Sequence, residues 1–198
     1  MVDYDQRTAL LVVDVQNDFA DAGGSLYVSG AEEVVEAVNR EIERASAAGA
    51  LVVYTQDWHP ESTPHFEKDG GVWPVHCVAG TRGAELHPAL RLSDDREVVR
   101  KGTGGEDGYS GFSVRDPETG DVSATELDAV LERRGVERVV IAGLATDYCV
   151  KETALDAVRR GLSTTVLRNA IAAVDLEEGD GDRALAEVAA AGATISES

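Results

Sequence analysis

A three-layer α/β/α domain built on a mainly parallel sheet is the fold class this 198-residue sequence predicts. Three observations carry that prediction. Short β-branched runs alternate with helical patterns along the chain, as in successive strand–helix units. Glycines 49, 135, 161 and 192 each follow a helical stretch, where a left-handed cap belongs. The length suits one substantial α/β core and is short for two, so residues 1–198 are expected to form a single domain.

In order, the first strand is expected in TALLVVDV from Thr8, followed by a helix over 31–48 rich in alternating acids and apolar residues. The second strand is ALVVYTQ from Ala50, and the third is EVVRK, ending at Lys101. A helix over 123–134 begins with Ser123 and Glu126 at capping-box spacing. RVVIAG from Arg138 is a strand, 148–160 a helix, STTVLRNA from Ser163 a strand and 182–191 the last helix. Two long segments, 56–96 and 101–122, lack periodicity and hold most of the Pro, Gly, Trp and His; long connections of this kind are usually functional loops.

Composition narrows the function. Asp and Glu outnumber Lys and Arg 37 to 18, a formal charge of −19, which repels nucleic-acid phosphates and anionic membrane surfaces. No apolar run approaches the roughly 18 residues that span a bilayer, and the start MVDYDQR is acidic rather than signal-like, so a cytoplasmic location is expected. Two cysteines, Cys77 and Cys149, make no disulfide framework and leave thiol chemistry available.

Asp14, Asp57, Lys101 and Cys149 all fall at or just after the end of an expected strand. In a parallel sheet the carboxyl ends of the strands share one edge, so the four side chains should converge. A carboxylate, an amine and a thiol supply a proton acceptor, a fixed positive charge and a nucleophile, the parts needed for acyl transfer through a covalent intermediate. Cys149 is placed where a strand runs into a helix, whose free N–H groups and partial positive charge favour a thiolate, and a nearby amine should lower the thiol pKa further. Each residue also has a plainer reading: a buried small side chain for Cys149, a loop-capping carboxylate for Asp14, a snorkelling surface lysine for Lys101.

A second constellation lies in DWHPESTPH, residues 57–65, and WPVH, residues 73–76. It gathers three of the four histidines, His59, His65 and His76, with Asp57. Imidazoles with a carboxylate form a common shell for a divalent transition metal, although the spacing matches no zinc-finger pattern. His87 lies outside the cluster and has no assignment. The loop aromatics Phe19, Trp73 and Tyr109 could wall a small flat pocket or anchor the long loops to the core.

With DVQNDF at 14–19, DWH at 57–59, His65, WPVHC at 73–77, KGT at 101–103, YSGF at 109–112 and GLATDYCV at 143–150, the chain resembles the nicotinamidases of the isochorismatase-like cysteine hydrolase superfamily, over nearly its whole length. The resemblance implies an isochorismatase-like fold with a central six-stranded sheet. It implies a catalytic triad of Asp14, Lys101 and Cys149, and metal ligands Asp57, His59 and His76, with His65 as a fourth. It also implies a cis peptide between Leu144 and Ala145, an oxyanion hole from the N–H groups of Ala145 and Cys149, and Phe19 and Trp73 sandwiching a substrate ring beside Tyr109. The implied reaction takes nicotinamide, and pyrazinamide as well, to the acid and ammonia in NAD salvage. One divalent ion would be the cofactor, zinc first, with iron and manganese as alternatives; the protein would be a monomer or homo-oligomer. Tyr148 departs from the pattern, since several relatives carry His there; an effect on loop packing or substrate range is expected. Cys77 is expected to be a buried thiol. The competing readings are a related amidohydrolase acting on carbamoyl or maleamate-type amides, an isochorismatase cleaving a vinyl ether, and a non-catalytic metal-binding domain of the same fold.

Overall fold

The computed structural model describes residues 2–197. Its main sheet has six strands, all parallel, in the order β3-β2-β1-β6-β7-β8. In chain order these are β1 (Thr8–Val13), β2 (Leu51–Asp57), β3 (Arg96–Lys101), β6 (Arg138–Leu144), β7 (Ser163–Ala172) and β8 (Thr194–Ser196). A separate antiparallel hairpin pairs β4 (Ser113–Arg115) with β5 (Val122–Ala124). The helices are α1 (Asn17–Ala20), α2 (Ala31–Ala47), α3 (Leu127–Arg133), α4 (Lys151–Arg159) and α5 (Asp180–Ala191).

Strand burial follows position in the sheet. β1 and β2 are buried along their whole length, because helices cover both faces of the central strands. At the edge, β3 buries only Val99 and Lys101. Alternation sends Leu10, Val12, Val52, Tyr54, Val140 and Ala142 to one face, where Val34, Val38 and Ile42 of α2 meet them. Ala9, Leu11, Val13, Val53, Val139 and Ile141 face the other side, against α3, α4 and α5. Each fully buried Val, Leu or Ile among them contributes about 1.5–3 kcal/mol relative to exposure.

The expected alternation and glycine punctuation are present: Gly49, Gly135, Gly161 and Gly192 all have positive φ. Three local expectations differ. Ser123 belongs to β5 rather than to a capping box; α3 starts at Leu127, whose N–H reaches Thr125 Oγ1 at 3.2 Å. The helix expected over 148–160 is preceded by a π turn over Thr146–Val150, so the helical path starts before Cys149 and Cys149 lies inside it. β8 is three residues long and mostly half-exposed, too short for a periodicity to register. The aperiodic 56–96 segment carries two 3-10 turns, Glu67–Asp69 and Arg82–Ala84. Among the described residues, no helix is long and apolar enough to cross a membrane.

The strand order reverses between β1 and β6, because the chain lays β2 and β3 on one side of β1 and β6, β7 and β8 on the other. A crevice opens at the carboxyl ends of strands where such a reversal occurs. Gly143 makes the junction tight: it pairs with Val13 at φ 120°, and a Cβ there would lie 2.1 Å from the Val13 carbonyl oxygen.

Candidate active site

Asp14 follows the last residue of β1, Asp57 ends β2, Lys101 ends β3 and Cys149 lies in the π turn after β6, so all four reach the crevice from the carboxyl edge. Carboxylate oxygens of Asp14 and Asp57 and the sulfur of Cys149 lie within 4.8 Å of one another. The Lys101 ammonium sits among them. It is 2.7 Å from Asp14 Oδ2 and 3.7 Å from Cys149 Sγ, and it donates to Asp57 Oδ1 and to the Gly108 carbonyl. Its side chain has no exposure, which disposes of the snorkelling reading. Three ammonium protons thus face four acceptors.

Burial and charge oppose each other at this cluster. For Lys101, burial lowers the pKa, but Asp14 and Asp57 outweigh it and carry the ammonium well above its ordinary value. Asp57 is penalised most by burial, yet Lys101, His59 and His76 together hold its carboxyl well below the usual carboxylate range. Asp14 goes the other way: burial raises it, Asp57 adds to the rise, and Lys101 only partly offsets them. Cys149 departs from the expectation of a lowered thiol. Burial pushes it well above the ordinary value, and repulsion from Asp14 and Asp57 supports the rise against the attraction of Lys101. Cys149 is therefore held as a neutral thiol beside a carboxylate whose proton affinity is also raised, a pair suited to proton exchange.

Neighbouring groups hold these side chains in place. The Thr55 hydroxyl donates to Asp14 Oδ1 at 2.6 Å and accepts the Asp14 N–H at 3.2 Å, fixing a residue with φ 49°. The Gln16 amide spans the backbone of Asp57: its Oε1 accepts the Asp57 N–H and its Nε2 donates to the Asp57 carbonyl, both at 2.8 Å. Asp147 Oδ1 and Oδ2 accept the N–H groups of Val174 and Asp175 at 3.0 and 2.9 Å, tying the loop after β7 to the turn that carries Cys149. The peptide between Leu144 and Ala145 is cis, as expected.

His59, His65 and His76 come together next to this cluster, each offering a ring nitrogen within 4.8 Å of the others. Asp57 Oδ2 lies 3.8 Å from His59 Nε2 and 4.0 Å from His76 Nε2, so it faces the same space. His65 Nδ1 is engaged by Asp107 at 2.8 Å and His76 Nδ1 by the Pro74 carbonyl at 2.7 Å, which leaves Nε2 of each for the shared centre. Burial lowers His76 to about 4, so it is a neutral imidazole at pH 7, the form that ligates. The fit to a cation is carried by His59, which is fully buried with no hydrogen-bond partner for either ring nitrogen. Two bare nitrogens in a protein interior are costly unless something satisfies them. Gly102 permits this packing, because a Cβ there would lie 2.7 Å from His59 Cε1.

Phe19, Trp73, Tyr109 and Tyr148 line a small cavity between the histidines and Cys149. Trp73 Nε1 donates to the Tyr109 hydroxyl at 2.8 Å, and the Trp73 ring meets Tyr148 edge-on at 4.8 Å between centroids. Tyr148 is thus a wall of this cavity. Cys77 is buried as a free thiol in the α2-side core, its N–H held by Asp18 at 2.7 Å, and His87 is not part of the histidine group. The eleven residues expected from the sequence as triad, oxyanion-hole, pocket or metal positions all lie in this one region. Sequence reasoning did not single out Gln16, Thr55, Asp107, Gly108 or Asp147. The signal available for them was only adjacency: each lies within two residues of a strand-end or loop residue already chosen.

The isochorismatase domain profile matches residues 8–198 of the chain. A nicotinamidase of Escherichia coli is 37% identical over 203 residues, covering 94% of this chain and 93% of the relative. A nicotinamidase/pyrazinamidase of Mycobacterium tuberculosis is 43% identical over 174 residues, covering 85% of this chain and 88% of the relative. Among solved structures, the pyrazinamidase of Pyrococcus horikoshii in complex with zinc superposes with a TM-score of 0.85 at 40% identity, covering 96% of this chain and 98% of the other.

Proposed function

This chain belongs to the isochorismatase domain family, and from that premise we propose that it is a metal-dependent cysteine amidohydrolase converting nicotinamide to nicotinate and ammonia, with pyrazinamide as a second substrate. The observation that carries the reading is the placement of a buried Asp14–Lys101–Cys149 cluster directly beside the three-histidine centre, with one aromatic cavity touching both. A carbamoyl or maleamate amidase needs the first cluster and has no use for the second. A binding module has no use for a nucleophile paired with a proton acceptor.

In this reading Cys149 Sγ attacks the carboxamide carbon while Asp14 takes the thiol proton, and the N–H groups of Ala145 and Cys149 receive the oxyanion. Asp14 returns the proton to the departing nitrogen, ammonia leaves, and a thioester remains. Water then adds to the thioester with Asp14 as base, and nicotinate and the free thiol are regenerated. Lys101 keeps both carboxylates in register and its charge stabilises the developing thiolate. Phe19 and Trp73 hold the ring from two sides, with Tyr109 fixing Trp73.

Asp57, His59, His65 and His76 would hold one divalent ion, zinc in the first place. When bound, the ion supplies a Lewis-acid anchor for the ring nitrogen, which aligns a small flat amide that offers few other handles. Residues 1–198 would act as one catalytic domain, in the cytoplasm, in salvage of the pyridine for NAD synthesis.

The test is ammonia release from nicotinamide before and after chelation and after Zn²⁺ return, beside Cys149→Ala. Activity should fall on chelation, recover with the ion and vanish in the variant. Full turnover in metal-free protein, or wild-type turnover without the thiol, overturns the reading.

A further inference from the structure

We propose that Asp107 is a positioning residue for the metal centre: its carboxylate commits His65 to the ion and thereby sets the affinity of the site without touching the metal. The inference rests on the metal-dependent reading above and concerns a residue to which that reading gives no role.

The three histidines are held in different ways. His76 is fixed by the main chain, through the Pro74 carbonyl two residues away. The His59 ring has no hydrogen-bond partner and is held by packing, stacked on His65 at 4.9 Å and edge-on to Phe66 at 5.5 Å between centroids. His65 sits on the loop after β2 and is fixed by a side chain from elsewhere, the Asp107 carboxylate, 42 residues along the chain. A carboxylate can only accept, so the proton of a neutral His65 resides on Nδ1 and the lone pair of Nε2 is left for the shared centre. Hydrogen bonds of this kind orient ligating imidazoles and raise their basicity.

Asp107 is itself held independently of its side chain. Its N–H donates to the Arg115 carbonyl at 2.8 Å and its carbonyl accepts from the Arg115 N–H at 3.0 Å, an isolated bridge that joins the loop after β3 to β4. The next two residues touch the rest of the site, Gly108 through the Lys101 ammonium and Tyr109 through Trp73. The run 107–109 thus reaches the histidine centre, the buried amine and the aromatic wall at once. Changing the Asp107 side chain removes only the first of these contacts.

The experiment measures the dissociation constant for Zn²⁺ by competition with a chromophoric chelator. It uses the whole protein as wild type, Asp107→Ala, Asp107→Asn, His65→Ala and the double variant Asp107→Ala/His65→Ala. Asp107→Ala should weaken Zn²⁺ binding by about 10- to 100-fold. Asp107→Asn, whose amide oxygen can still accept from Nδ1, should recover most of that loss. In the His65→Ala background, Asp107→Ala should change the constant less than about twofold, since two residues acting through one contact are not additive. An undiminished effect of Asp107→Ala without His65, or no effect with it, overturns the proposal. Wild-type protein that takes up no Zn²⁺ overturns the metal-dependent reading and this proposal with it.

Discussion

Replacing Lys101 by Met removes a buried charge while keeping an unbranched side chain only one atom shorter, and the cost can be worked from the site. At an effective dielectric of about 20, a unit pair at the 2.7 Å Lys101–Asp14 separation carries about 6 kcal/mol of gross attraction. Desolvation offsets much of it, and deleting one partner of a buried pair costs about 3–5 kcal/mol net. That cost depends on pH. In the wild type, Lys101 is raised, so its contribution is fully present below the unfolded lysine value and is lost only as pH rises through the folded one. Asp57 is depressed, so its contribution is present above the unfolded value of about 3.9 and is lost as pH falls through the folded one. Without the ammonium, both carboxylates face burial and each other, and the folded variant retains at neutral pH a proton that the unfolded chain releases near pH 4. Its stability should then fall by about 1.4 kcal/mol per pH unit, or about 2.7 kcal/mol between pH 5 and pH 7 for one retained proton. Urea unfolding of chelator-treated wild type and Lys101→Met at those two pH values reads the difference directly. A deficit that is the same at both, or smaller at pH 7, refutes the electrostatic account of the cluster.

Two further outcomes follow from neighbouring contacts. Asp147→Ala should cost about 1.5–3 kcal/mol by leaving the Val174 and Asp175 N–H groups without their carboxylate; it should also raise KM for nicotinamide, because Val174 lines the cavity. Unchanged urea midpoints and KM would contradict it. Iodoacetamide should modify Cys149 slowly at neutral pH, with a rate that climbs beyond the ordinary thiol pKa of about 8.5, because burial keeps the group protonated. Rapid alkylation at pH 7, read by mass spectrometry of the Cys149 peptide, would show the thiolate to be the resting form.

The residues that converge at the crevice were legible in the sequence because strand ends are legible. β-branched runs end at Asp14, Asp57 and Lys101, and parallel topology makes their carboxyl ends meet; the histidines stood out as a cluster in a loop. Groups that orient those residues were not legible, because their partners are distant: Thr55 serves Asp14 across 41 residues and Asp107 serves His65 across 42. No local pattern encodes such pairs. The state of Cys149 was misjudged for a related reason. Helix ends and a nearby amine can be read from order along the chain, whereas burial and two converging carboxylates depend on packing in three dimensions. The Ser123 capping box failed because the hairpin β4–β5 claimed that serine, a tertiary pairing that overrode a local motif.

The junction of β1 and β6 bears on how this molecule acquires activity during folding. Thr8 pairs with Arg138 and Val13 with Gly143, contacts separated by 130 residues of chain. Asp14, Asp57 and the histidines belong to the first half of the sequence and Lys101 falls just past its midpoint, while Ala145 and Cys149 lie well into the second half. Closing so long a loop is entropically expensive and slow relative to local structure. The crevice that holds Asp14 and Cys149 is therefore complete only once this pairing, the longest in range among the strands of the described residues, has been made.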